Sequence, residues 1–199
     1  MLSFKLMNMT EAPTLDRKFV QRILADAFEH NLSVNYIIKQ DQKRFKRLAN
    51  LMDYSFKVCS AYGKVLVSKD RKGCALVLLP DKKLFSLKMM IWDLKLIFNV
   101  IGLKRLSKIL RRDRMIKQAQ PKMQKMYYLW FIGVDPMTQH QGLGTEMMKE
   151  LIADARVMKR TIFLETSVLK NVSWYEHLGF RIYHELDLGY KLYFMKMET

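Results

Sequence analysis

Residues 127–145 read Tyr127-Tyr-Leu-Trp-Phe-Ile-Gly-Val-Asp-Pro136-Met-Thr-Gln139-His-Gln-Gly142-Leu-Gly144-Thr145. Tyr127 to Val134 is apolar at every position, which predicts a strand buried on both faces at the centre of a sheet. Asp135-Pro136 ends it. A loop from Met137 carries Gly142 and Gly144 into a helix, predicted over Thr145–Val157, with Met147, Met148, Leu151, Ile152 and Ala155 inward. A glycine loop that opens a helix presents unpaired N–H groups to one point, where the helix dipole adds positive potential. Phosphate oxygens suit that geometry. No Lys-Ser/Thr follows Gly144, so this is not a P-loop. Met147 stands where a dinucleotide fingerprint needs its third glycine.

Working outward, Thr161–Thr166 is the next strand, and Asn171–Leu178 is a short helix stopped by Gly179. Phe180–Leu188, a turn at Gly189 and Tyr190–Met197 form a closing hairpin. Upstream, Leu15, Phe19, Ile23, Leu24, Ala27 and Phe28 recur at helical spacing. A second helix is predicted from Ser33 or Asn35 toward Tyr54, with Ile37, Phe45, Leu48 and Met52 inward. Lys64–Ser68 and Cys74–Leu79 make a hairpin around Lys69–Gly73. Residues 84–118 are one or two helices broken near Gly102, with Leu84, Leu87, Ile91, Leu94, Phe98 and Ile101 expected to turn into the core.

Length, 199 residues, suits one domain. The expected division is N-terminal helices and hairpin over 1–80, a basic helical insertion over 81–125, and a ligand-binding half over 126–199. Cys59 and Cys74 exclude a disulfide framework and point to a reducing cytoplasm, and the 4 histidines supply no metal-ligand spacing, so no metal is expected. The N-terminal residues lack a signal-peptide run, and no stretch reaches a membrane span. The net charge of +16 is uneven: 81–125 hold 13 basic and 3 acidic residues, whereas 126–199 hold 8 and 9. The surplus raises nucleic acid and anionic membrane surfaces as partners, but no nucleic-acid-reading motif accompanies it. The expected use of the apolar positions of 84–101 is burial rather than membrane contact.

A second block, Leu164-Glu165-Thr-Ser-Val-Leu-Lys-Asn171-Val-Ser-Trp-Tyr175-Glu-His-Leu-Gly179-Phe180, follows the next strand. Together with Ile132-Gly-Val-Asp-Pro136 and Gln139–Gly144 it resembles the GNAT superfamily of acyl-CoA-dependent N-acyltransferases. It is most similar to the branch that includes puromycin N-acetyltransferase. The likeness is close over residues 126–185 and loose before them.

The resemblance implies an α/β (α+β) fold, with a mixed, mostly antiparallel central sheet flanked by helices and carrying a helical insertion. It implies acetyl-CoA as cosubstrate and a primary amine, on a small molecule or peptide, as acceptor. By the same likeness, Gln139, His140, Gln141, Gly142, Leu143, Gly144 and Thr145 hold the pyrophosphate. Ile132, Gly133 and Val134 line the pantetheine arm, with Gly133 as the family's β-bulge, and Asn171 contacts the arm. Tyr175 stands at the place of the general acid. The early-strand glutamate of many members is replaced by Tyr128, which leaves Glu165 as the candidate base and also admits a non-catalytic acyl-CoA-binding or regulatory protein. Acceptor identity and oligomeric state stay open at this level.

Overall fold

A computed structural model describes residues 9–122, 125–139 and 141–199. Seven strands form one sheet: β1 (Met9–Glu11), β2 (Gly63–Ser68), β3 (Gly73–Leu78), β4 (Met126–Val134), β5 (Thr161–Thr166), β6 (Arg181–Asp187) and β7 (Lys191–Met197). Their order is β1-β2-β3-β4-β5-β7-β6, and β4–β5 is the parallel pair in an otherwise antiparallel array. The mixed, mostly antiparallel sheet expected from the sequence is therefore present, with the apolar β4 at its centre. The helices are α1 (Arg17–Phe28), α2 (Leu32–Ile37), α3 (Arg44–Tyr62), α4 (Leu87–Leu96), α5 (Leu106–Ala119), α6 (Leu143–Val157) and α7 (Leu169–His177).

Two cores sandwich the sheet. On one face Met147, Met148, Leu151, Ile152 and Ala155 of α6 and Val172 and Tyr175 of α7 pack on Tyr127, Leu129 and Leu164. On the other, α1 and α3 cover Val65, Val67, Cys74, Leu76 and Phe131. Ile116 of α5 packs with Leu192 and Phe194 of β7. Asp154 ties three elements together: it accepts from Tyr127 Oη at 2.8 Å and from Lys64 Nζ at 2.7 and 2.9 Å.

Several expectations need correction. The predicted second helix is two helices, α2 and α3. Ile38 is extended and buried, and Asp41 holds the turn ahead of α3 by accepting from Lys43 N at 3.0 Å. Phe45 is exposed and Leu15 is 92% exposed, so neither serves the core. The short β1 has no periodic signal to reveal it. The apolar positions of α4 and its π-turn continuation (Ile97–Ile101) point the wrong way for the expected burial: Leu84, Leu87, Ile91, Leu94 and Phe98 are exposed, and only Ile101 is buried. The break at Gly102 (φ +80°) is where the sequence placed it.

The β-bulge also lies elsewhere. Leu76 opposes Phe131 and Val77 opposes Leu129, so the extra residue is Trp130, not Gly133. The bulge puts Trp130 and Phe131 together on the α1/α3 side, with their rings 5.6 Å apart. Gly133 serves helix packing instead. A Cβ there would stand 2.9 Å from Leu24 Cδ2 and 3.3 Å from Ala27 Cβ of α1. Gly133→Val should therefore cost about 2 kcal/mol of stability. That corresponds to a melting temperature lower by roughly 4–8 °C in thermal denaturation followed by circular dichroism.

Candidate active site

The strand pair β4–β5 aligns over only three residues, Met126–Tyr128 with Thr161–Phe163. The Trp130 bulge follows at once, and beyond it β5 pairs with β7 alone. The edge of β4 from Leu129 to Val134 that would face β5 thus has no ladder partner. Peptide groups at such an opening need hydrogen-bond partners, which a second extended chain supplies.

A cleft of about 580 Å³ opens at this end of the slot. Ile132, Gly133, Val134, Gln139, Gly142, Leu143, Gly144, Thr145 and Asn171 all line it. The sequence-predicted strand end, glycine loop and α7 asparagine are thereby brought to one place. Gln141 is exposed outside the cleft wall, and His140 lies outside the described residues. The sequence missed the wall contributed by the end of α1, from Asp26 to Asn31, and it missed Lys170 and Trp174. Ala27 and Phe28 give only a helical-face signal in the sequence.

Gly142 caps α6 in the left-handed region (φ +83°), a backbone state that side chains resist. It turns the first-turn amides outward. Among the described residues the N–H groups of Gly142, Leu143 and Gly144 have no hydrogen-bond partner. The Thr145 amide is spent on Gly142 O at 2.9 Å, so Thr145 serves through its side chain, whose Oγ1 accepts from Trp174 Nε1 at 3.1 Å. That bond ties α6 to α7 across the cleft. The Asn171 carboxamide is uncommitted among the described residues, and the exposed Lys170 beside it is the basic side chain of the wall. Three amides without a partner among the described residues, a helix dipole and one lysine fit a diphosphate.

The two proposed proton-transfer residues sit on opposite faces of the sheet. Tyr175, one helical turn after Asn171, is buried against Phe180 and Trp174 at ring distances of 5.5 and 4.7 Å. It is not part of the cleft wall. Burial pushes its phenol above the usual value, so it is protonated at neutral pH, and its hydroxyl has no partner among the described residues.

Glu165 projects from β5 beneath α5. It accepts from Gln120 Nε2 at 2.8 Å and from Tyr128 Oη. Burial raises the Glu165 carboxyl above its ordinary 4.5, opposed by those two donors and by the Arg112 charge. Arg112 is itself buried and donates to Ser33 Oγ at 2.7 Å and Tyr190 Oη at 3.1 Å. The Tyr183 hydroxyl is buried and has no partner among the described residues.

Comparison with known proteins accords with this geometry. Residues 99–180 match the model of the acetyltransferase (GNAT) family. Similar solved structures include the histone acetyltransferase HPA2 and related acetyltransferase from Corynebacterium glutamicum, with 19% identity, TM-score 0.71 and 96% of each chain covered. Arylalkylamine N-acetyltransferase 2 from Aedes aegypti follows at 15% identity and TM-score 0.61, over 96% of this chain and 97% of that one. YncA from Salmonella typhimurium, solved with acetyl-CoA, has 16% identity and TM-score 0.53 over 96% and 93%. At these identities the likeness to solved structures speaks for the fold.

A raised folded-state pKa means that Glu165 contributes stability below its ordinary 4.5 and loses it as pH rises through the higher folded value. Wild type should therefore lose ground to Glu165→Gln in urea unfolding from about pH 4.5 upward. The difference should level off once Glu165 is ionised in the folded state. A difference that does not vary with pH would contradict the assigned burial.

Proposed function

We propose that the chain is a GNAT-type N-acetyltransferase, as the family match over residues 99–180 suggests, and that it moves the acetyl group of acetyl-CoA to a primary amine by direct attack on the thioester. The observation that carries this reading is the open β4 edge running into three amides, at the start of α6, that have no partner among the described residues. The cosubstrate supplies the activated acyl group. In this reading the amides of Gly142, Leu143 and Gly144, with Lys170, hold its diphosphate, and Gln139, Gln141 and His140 belong to the same loop. Ile132, Gly133 and Val134 pair with the pantetheine arm, and Asn171 adds a side-chain bond to it. An N–H at Ile132 or Gly133 stabilises the oxyanion.

Tyr175 is the proposed general acid for the departing thiolate. A phenol ordinarily near 10 and raised further by burial is fully protonated at neutral pH, so its Oη carries a proton to hand to the departing thiolate. Glu165 is the proposed base. Its raised pKa brings a carboxylate nearer the working range for accepting an ammonium proton, and Tyr128 and Gln120 fix its orientation. The acceptor is read as a small-molecule or peptide amine, a class that includes the arylalkylamines named for the mosquito enzyme. The finer likeness to the puromycin N-acetyltransferase branch rests on the four-residue step from Asn171 to Tyr175. Two buried, free thiols suit a cytoplasmic enzyme.

Isothermal titration with acetyl-CoA tests the phosphate site. Gly142→Glu puts a side chain on a left-handed backbone and a carboxylate where the diphosphate sits. Affinity should fall by more than about 100-fold with the circular dichroism spectrum unchanged. Undiminished affinity would refute the site. Separately, Tyr175→Phe should lower kcat by roughly 100-fold while acetyl-CoA affinity changes little. Full turnover in a screen of amines, followed by release of free CoA thiol, would remove Tyr175 as the acid.

A further inference from the structure

α4 is amphipathic in the inverted sense. Leu87, Ile91, Leu94 and Phe98 stand at i, i+4, i+7 and i+11, one stripe along a helix. That stripe faces solvent: the four side chains are 75, 51, 50 and 59% exposed, and Phe85 just before the helix is 86% exposed. The opposite face holds Met89 and Val100 in the core and Asp93, which accepts from Tyr54 Oη at 2.7 Å. The helix is therefore anchored through a polar contact on its protein side and presents its apolar arc outward. Large exposed apolar patches of this kind mark a surface meant to be covered.

The charges around the stripe indicate what covers it. Lys88 and Lys95 flank it on the helix, Lys82 and Lys83 precede it and Lys104 follows it, all exposed. These belong to the segment of 13 basic and 3 acidic residues. Arg105 and Arg112, by contrast, are turned inward onto Tyr36, Ile38, Ser33 and Tyr190. A second copy seated on this face would bring like charges together across a self-complementary contact. An anionic bilayer supplies an apolar boundary for the stripe and negative headgroups for the lysines.

We infer that residues 82–104 dock this protein on an anionic lipid surface. α4 lies in the plane of the interface, its Leu87–Phe98 stripe in the acyl boundary and its flanking lysines among the headgroups. This surface stands apart from the cleft and holds whatever the acceptor is.

Vesicle flotation with the full chain tests the inference. Vesicles of phosphatidylcholine with about one-third phosphatidylglycerol should carry the protein at about 0.1 M salt. Binding should fall by at least about tenfold on phosphatidylcholine alone or at about 0.5 M salt. The combined Leu87→Gln, Leu94→Gln and Phe98→Gln variant, whose changes lie at exposed positions, should lose roughly 100-fold in partitioning with its circular dichroism unchanged. Lys88→Glu with Lys95→Glu should lose about tenfold or more. Failure of wild type to float with anionic vesicles at low salt would overturn the inference. Flotation of the triple variant equal to that of wild type would also overturn it, by showing that the apolar stripe has no part. Sedimentation velocity provides the third arm: a wild-type dimer lost in the triple variant, without vesicle binding, would assign the face to a second copy.

Discussion

A central strand that stops pairing with its neighbour after three residues leaves peptide groups that must find partners, and the protein is organised around that gap. β4 and β5 part at Tyr128 and Phe163, and β5 is kept in the sheet by β7. The Trp130 bulge bends and twists β4 where the separation begins. Gly133 then lets α1 lie close on the strand, so the end of α1 becomes a wall of the opening. On the far wall Gly142 points the first amides of α6 into the same space, and Trp174 fixes α7 to α6 through Thr145. Each device holds open a slot that hydrophobic packing alone would close.

The chain between β3 and β4 does structural work on the α2 and β6–β7 side of the sheet. α5 sends Arg112 into the interior, where it bridges Ser33 before α2's first turn is complete and Tyr190 at the β6–β7 turn. About two helix turns further on, Gln120 reaches Glu165. Both contacts span long sequence distances, and both satisfy polar groups that would otherwise be buried without partners. Arg160 closes the other end, with paired bonds of 2.6 and 2.7 Å to Asp81 and one of 3.0 Å to Met126 O. The helices are thus fixed at both ends, at β4's first residue and beside the base candidate. Removing them would expose Glu165 and leave the hydroxyls of Ser33 and Tyr190 only their own 3.4 Å bond.

What the sequence made legible follows from how each signal arises. β4, the glycine loop, α6 and β5 are read from local patterns, and their observed limits fall within two residues of those expected. A both-faces-apolar run and a two-glycine helix start are each determined by nearest neighbours in the chain. The Trp130 bulge is set by the register of β3 against β4, a relation between Leu76 and Phe131 that no local window contains. The division of α2 from α3 depends on Ile38 being drawn into the α1/α3 core in an extended conformation. The α1 wall of the cleft likewise exists only after α1 settles on Gly133. For α4 the periodicity was sound as a stripe, but a stripe records which residues share a face and not what that face meets.

Charge separates the two surfaces physically. The half from residue 126 onward, which holds the glycine loop, carries 8 basic and 9 acidic residues, so no net field of its own draws an anion to the cleft. In the proposed reading, recognition there is short-range: directed amides, a helix dipole and Lys170, effective within the first turn and specific for a group that reaches them. The excess of 81–125 is of the opposite kind. It is spread over exposed lysines and arginines whose combined potential extends about a Debye length from the surface and whose geometry selects no particular anion. A small ligand gains little from so diffuse a field, whereas an extended negative surface meets many of those charges at once. The apolar stripe of α4 lies within this diffuse region and not beside the directed one, so the two proposed modes of binding would use separate parts of the molecule.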